Sequence, residues 1–202
     1  MADFCTVDDL IELLQIDISD ADAVASAERA ITEATAAIKN YCHQEIALVE
    51  DDEITLDVWA RTHKLVLPQM PVISVASVVE DGETLTEGDD EDYVLVEHGI
   101  LYRVGQFWAV GPQIVTVTYT HGYSEIPQNI VDICARAAAR VYQAGLMSAA
   151  TDGVPGISAT SLGDYSVSYN LGQSGLGLLG VSGARLLLKS EKEILDLYRY
   201  KP

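Results

Sequence analysis

The sequence predicts an α+β protein: a small α-helical bundle with an inserted antiparallel β subdomain and a C-terminal extension ending in a helix. Three observations carry this. Val24, Ala27, Ile31, Ala34, Ile38 and Tyr41 advance by three and four residues, the spacing of one helix face. From residue 45 to 123 the period shortens to β-prone runs separated by Pro68, Pro71, Asp81-Gly82 and His98-Gly99. Past Pro127 the helical spacing returns with Ile130, Ile133, Cys134, Ala137, Val141 and Tyr142. The expected divisions are a helical core from 1–44 and 124–148, a β insertion over 45–123, and a Gly-rich loop with a C-terminal segment over 149–202.

Each element has a local reason. Thr6 with Asp9 is a capping-box pair before Val7, Leu10, Ile11 and Leu14, so a short helix is expected over 7–15. Asp20 can cap a long Ala-rich helix from Ala21 to Cys42. About six strands are expected from seven β-prone runs: Ile46–Val49, Ile54–Val58, Lys64–Leu67, Val72–Val79, the pair Tyr93–Glu97 and Ile100–Val104, and Ile114–Thr120. Asp81-Gly82 is a favoured hairpin turn. Pro127 suits a first helical turn, where its missing N–H leaves nothing unpaired, and that helix should run to about Met147. The glycine-rich stretch 148–183 reads as loop, with one strand at Tyr165–Tyr169. Val181–Leu188 fits either extended chain or an early helix start. Ser190 with Glu193 predicts the cap of a last helix bearing Ile194, Leu195 and Tyr198.

The chain has 202 residues, with 12 Lys+Arg against 31 Asp+Glu, a formal charge of −19. All of the excess lies in residues 1–100, where 24 acids face 4 bases. Runs such as Glu50-Asp51-Asp52-Glu53 and Asp89-Asp90-Glu91-Asp92 read as solvated loops. The second run is a candidate channel or interface patch. An acidic surface repels DNA, and no basic patch with interleaved aromatics exists to grip it. No apolar stretch reaches the roughly 18 residues of a membrane span. The start Met1-Ala2-Asp3-Phe4-Cys5 has no signal-like basic or apolar region, so synthesis and retention in the cytoplasm are expected. Cys5, Cys42 and Cys134 are odd in number and far apart, and read as small buried side chains.

Nothing in the sequence argues for an enzyme, a cofactor or a metal. Gly175-Leu-Gly177-Leu-Leu-Gly180 matches a dinucleotide-binding pattern, but too few residues follow for the second parallel strand. His43, His63, His98 and His121 are not spaced as a metal pair on one helix. Adjacent Cys42-His43 reads as a helix end. The basic, leucine-rich end is different. Leu186, Leu187, Leu188, Lys192, Ile194, Leu195, Tyr198 and Arg199 form a candidate partner-binding segment, against the simpler reading that these leucines close the helical core.

Several stretches together are similar to one family. They are Leu67-Pro-Gln-Met-Pro71 leading into Val72-Ile-Ser-Val75, Thr118-Tyr-Thr-His-Gly-Tyr123 leading into Ile126-Pro127, the Ala-rich helix after it, Ser161–Tyr169, and Ser190–Arg199. This order resembles the head–tail connector (adaptor) proteins of long-tailed double-stranded DNA phages. The resemblance implies a ring of copies, usually twelvefold, beneath the portal protein. The ring would prolong the DNA channel, let DNA pass without specific binding, and offer a platform to the stopper or tail-completion protein. It implies a place in the virion neck after assembly in the host cytoplasm, with the C-terminal segment gripping the portal and no membrane involved. The alternative from charge alone is an acidic binding module, a DNA mimic or an inhibitor of a basic partner.

Overall fold

The computed structural model describes residues 3–97, 99–150, 159–162, 165–168 and 186–200. The chain divides into two compact units, Met1–Tyr41 with Gln128–Leu197, and Cys42–Pro127 with Tyr198–Pro202. The first unit holds helices α1 (Val7–Leu14), α2 (Ala21–Cys42, whose last residue falls in the second unit), α3 (Gln128–Ala150) and α4 (Lys189–Leu195), and the strands β8 (Ala159–Leu162) and β9 (Tyr165–Ser168). The capping box of α1 is formed: Asp9 N donates to Thr6 Oγ1 at 3.2 Å and Thr6 N donates to Asp9 Oδ2 at 2.7 Å. On α2 the expected Ala27, Ile31, Ala34 and Ile38 are buried, and Ala30, Ala37 and Cys42 widen the stripe. On α3 Ile130, Ile133, Cys134, Ala137 and Tyr142 are buried, joined by Ala135, Ala138 and Ala139. Small side chains on both helices permit close helix packing. The α3 helix runs to Ala150, beyond the expected Met147.

The second unit holds β1 (Val49–Val58), β2 (Lys64–Val66), β3 (Val72–Glu80), β4 (Glu83–Leu85), β5 (Tyr93–Val96), β6 (Ile100–Arg103) and β7 (Gly111–His121). They form an antiparallel sheet in the order β1-β7-β3-β4 and a second in the order β2-β6-β5. Both sheets contribute to one core that includes Val58, Leu65, Leu67, Val78, Tyr93, Leu101, Trp108, Val115, Val117 and Tyr119. At an order of magnitude, burying each such large side chain contributes about 1.5–3 kcal/mol. The Asp81-Gly82 turn joins β3 to β4 with both residues at positive φ, 50° and 85°, the signature of a type I′ hairpin.

Four local expectations are corrected. Glu50-Asp51-Asp52-Glu53 is not a loop but part of β1. Its register slips between Val49 and Asp52, and Asp51 takes φ 49°. That bulge leaves Glu50 and Asp51 both exposed, then restores the inward alternation of Ile54, Leu56 and Val58. The expected strand Ile46–Val49 is only a bridge at Ala47, paired with Tyr123, before β1 begins. The short strand β4 was not signalled, because three residues are too few to show a period. β8, the partner of the expected strand near Tyr165, was likewise not signalled.

Candidate assembly surfaces

The C-terminal segment is divided between core and surface. Leu186, Leu187 and Leu195 are buried, whereas Leu188 and Ile194 are exposed and Leu197 is 80% exposed. Polar contacts tie the segment to α3. Arg140 on α3 donates from Nη1 to Glu191 Oε1 at 2.9 Å and from Nη2 to Glu191 Oε2 at 2.7 Å, and Nη2 also donates to the Leu186 carbonyl at 2.9 Å. Glu191 Oε2 accepts from Leu188 N at 2.8 Å. The expected cap from Ser190 and Glu193 is therefore corrected. Glu191 supports the first turn of α4, and Ser190 and Glu193 are exposed within the helix. Lys192 lies over the Tyr41 ring at 5.4 Å, and the Tyr41 hydroxyl donates to Asp196 Oδ1 at 2.7 Å. In the other unit Tyr198 is half-buried beside Tyr123, its carbonyl accepting from Gln44 Nε2, and Arg199 is exposed.

The second acidic run is a turn, as expected. Asp89, Asp90 and Glu91 are exposed. Asp92 is not a free surface charge. Its carboxylate accepts from Thr86 N at 3.0 Å and from Arg103 Nη1 at 3.1 Å. The Thr86 N–H, then Arg103, hold its carboxyl below the usual carboxylate range. Arg103 is buried and also pairs with Glu80 (Nε–Oε2 3.2 Å), while Glu80 Oε1 accepts from Ala109 N at 2.7 Å. The guanidinium thus ties the acidic turn to the β6 strand and keeps a buried charge compensated.

A third surface escaped the sequence. Strands β2, β6 and β5 place Leu65, Leu101, Tyr93 and Leu95 inward. Their alternate residues, Lys64 and Val66, Tyr102 and Ile100, Val94 and Val96, share the opposite face in register. Of these Val66, Tyr102 and Val96 are exposed. At its margin the His63 ring lies 4.2 Å from Phe107 and 5.5 Å from Tyr102, and the Arg61 guanidinium stands 4.7 Å over Phe107. Arg61 and Phe107 are 46 residues apart, so no local pattern signals their meeting.

Among the described residues no group of three His, Cys, Asp or Glu is placed to hold a metal. Cys42 is buried and His43 is exposed at φ 56°. His98 and the Gly175–Gly180 pattern lie outside the described residues. Cys5 and Cys134 are brought together in the helical unit, Cys5 Sγ donating to Cys134 Sγ at 3.2 Å. That bond, then burial, pushes the Cys5 thiol up, which makes it a poor nucleophile. His121 is buried on β7, its Nε2 3.1 Å from Asp52 Oδ2. Among the described residues no helix is long and apolar enough to cross a membrane.

A family model described as head completion protein matches residues 3–136. Among solved structures, the chain is similar to one from the neck of an empty GTA particle computed with C6 symmetry. The two share 18% identity with TM-score 0.50, covering 68% of this chain and 76% of that one. A second is from the neck of a native GTA particle computed with C12 symmetry, at 15% identity and TM-score 0.49, covering 97% and 88%. No curated protein matches.

Proposed function

The chain belongs to the head completion protein family, and from that premise we propose that it is a structural head–tail connector in the neck of a phage-like particle. The carrying observation is the family match over residues 3–136, which takes in α1, α2 and all of β1 to β7. The role is structural rather than enzymatic, as the family's is. In finer terms, copies form a ring under the portal, twelve by the family resemblance. The ring extends the DNA channel and seats the stopper or tail. A formal charge of −19 supports a wall that DNA slides past. Family membership favours this reading over an acidic inhibitor.

The portal contact is assigned to the exposed half of the C-terminal segment. Leu188, Ile194 and Leu197 are the exposed apolar groups there, with Lys189 exposed next to Leu188 in the chain. Leu186, Leu187 and Leu195 support it from inside. The test is sedimentation of the chain with portal rings from the same genome. The wild type is expected in a heavy complex and the L188S/I194S/L197S variant outside it. Normal incorporation of that variant overturns the contact assignment. A wild-type chain that never joins the portal overturns the connector reading.

A further inference from the structure

We propose that the β2–β6–β5 sheet is the contact between neighbouring copies of this chain, with the basic edge of one copy receiving the acidic turn of the next. This rests on the connector reading for the closure of copies into a ring.

Apolar side chains on both faces of a three-stranded antiparallel sheet are unusual, because one face ordinarily meets water. Here the inner face is in the core. The outer face still presents Val66, Val96 and Tyr102, with Val94 and Ile100 between them. An apolar sheet face rimmed by charge marks a contact surface.

Charge identifies the occupant as a second copy. Residues 42–127 contain only three Lys or Arg: Arg61, Lys64 and Arg103. Arg103 is buried in its own ion pairs. Within 42–127 the two exposed cations are therefore Lys64, on β2 at one edge of the sheet, and Arg61, three residues before it, and neither forms an ion pair among the described residues. The opposite edge is β5, and the turn that leads into it carries Asp89, Asp90 and Glu91. Lys64 registers with Tyr102, and Tyr102 with Val94, so the two charged groups flank one end of the sheet. Opposite charge on opposite edges is the pattern of a head-to-tail contact, in which each copy uses both edges at once. The turn is held for this role. Glu91 N donates to Gly88 O at 3.1 Å, Asp92 N donates to Thr86 O at 3.1 Å, and Arg103 grips Asp92. The edge of β2 is unsuited to adding a strand, because Thr62 Oγ1 donates to Lys64 O and accepts from Lys64 N. The contact is therefore made by side chains, with the charges setting direction and the apolar face supplying area.

The experiment is zero-length carbodiimide cross-linking of the full chain, using a mixture of isotope-labelled and unlabelled copies, alone at high concentration and on portal rings. The expected product is a mixed-label peptide joining Lys64 to Asp89, Asp90 or Glu91, lost at high salt. Sedimentation of charge-reversed chains is the second readout. The R61E/K64E and D89K/D90K/E91K variants are each expected to lose self-association at least tenfold. Combining both sets in one chain, or mixing the two variants, is expected to restore it. Absence of a mixed-label cross-link in both settings overturns the inference, as does failure of the combined reversal to restore association. A wild-type chain that joins the portal with no such cross-link sinks this contact and leaves the connector reading standing. A chain that never joins the portal sinks the reading itself.

Discussion

Arg140 on α3 and Glu191 on α4 face each other through two hydrogen bonds of 2.9 and 2.7 Å, and Glu191 is 4% exposed. A paired guanidinium and carboxylate in this geometry hold two helices in fixed relation. The pair joins α4 to α3 in the segment where Leu186, Leu187 and Leu195 are buried and Leu188, Ile194 and Leu197 are exposed.

Arg140→Ala leaves the Glu191 carboxylate buried without its cation. The expected cost is about 2–4 kcal/mol, since breaking one side of a buried pair is worse than removing both. Urea unfolding measures the loss. Hydrogen exchange should place it at the amides of 188–195, with faster exchange there than elsewhere. Unchanged protection of that segment would remove Arg140 from the anchoring role.

Asp92 predicts a pH dependence. Its folded carboxyl is held below the ordinary value by Thr86 N–H and Arg103. The unfolded group titrates near about 3.9. The charged form is therefore favoured by folding. Its stabilisation is present above that value and is lost as pH falls through the lower folded one. Wild type should exceed Asp92→Asn in stability at neutral pH, with the gap closing in acid below about pH 4. A gap that stays constant through that range, followed by circular dichroism in urea, contradicts the account.

Gly122 predicts a backbone effect. It takes φ 91°, and a Cβ there would lie 2.3 Å from the Ala47 carbonyl oxygen. Its N–H donates to Pro71 O at 2.9 Å, and the next residue, Tyr123, donates to Ile46 O at 2.9 Å. Three segments thus meet at a residue that has no room for a side chain. Gly122→Ala should cost about 3 kcal/mol from left-handed strain and the carbonyl clash together. A melting temperature equal to that of the wild type would show that the junction relaxes freely.

Local patterns carried much of the fold into view. The α2 stripe, the Thr6–Asp9 cap and the Asp81-Gly82 turn depend on residues within one or two turns of each other, so period and turn chemistry reveal them. The family resemblance was legible for the same reason, in the order of short segments such as Thr118–Tyr123 and Ser190–Arg199. Where the reading failed, a distant partner had intervened. Glu50–Glu53 looked like a loop because four acids favour water. It is strand because β7 pairs with Val49, Asp52 and Glu53 on either side of the bulge, and His121 pairs with Asp52.

By itself the sequence determined the class of the protein, an acidic α+β chain with helices around a β insertion. Those properties follow from composition and from periods that repeat within a few residues. Only the tertiary structure decided which of the terminal leucines are covered, because that depends on packing against distant segments, as Arg140 meeting Glu191 across 51 residues illustrates. Only it set Lys64 on one edge strand of a sheet, with Arg61 just before it, and the Asp89–Glu91 turn ahead of the other edge strand. Strand order is a matter of long-range pairing, and no local pattern records which edges remain open.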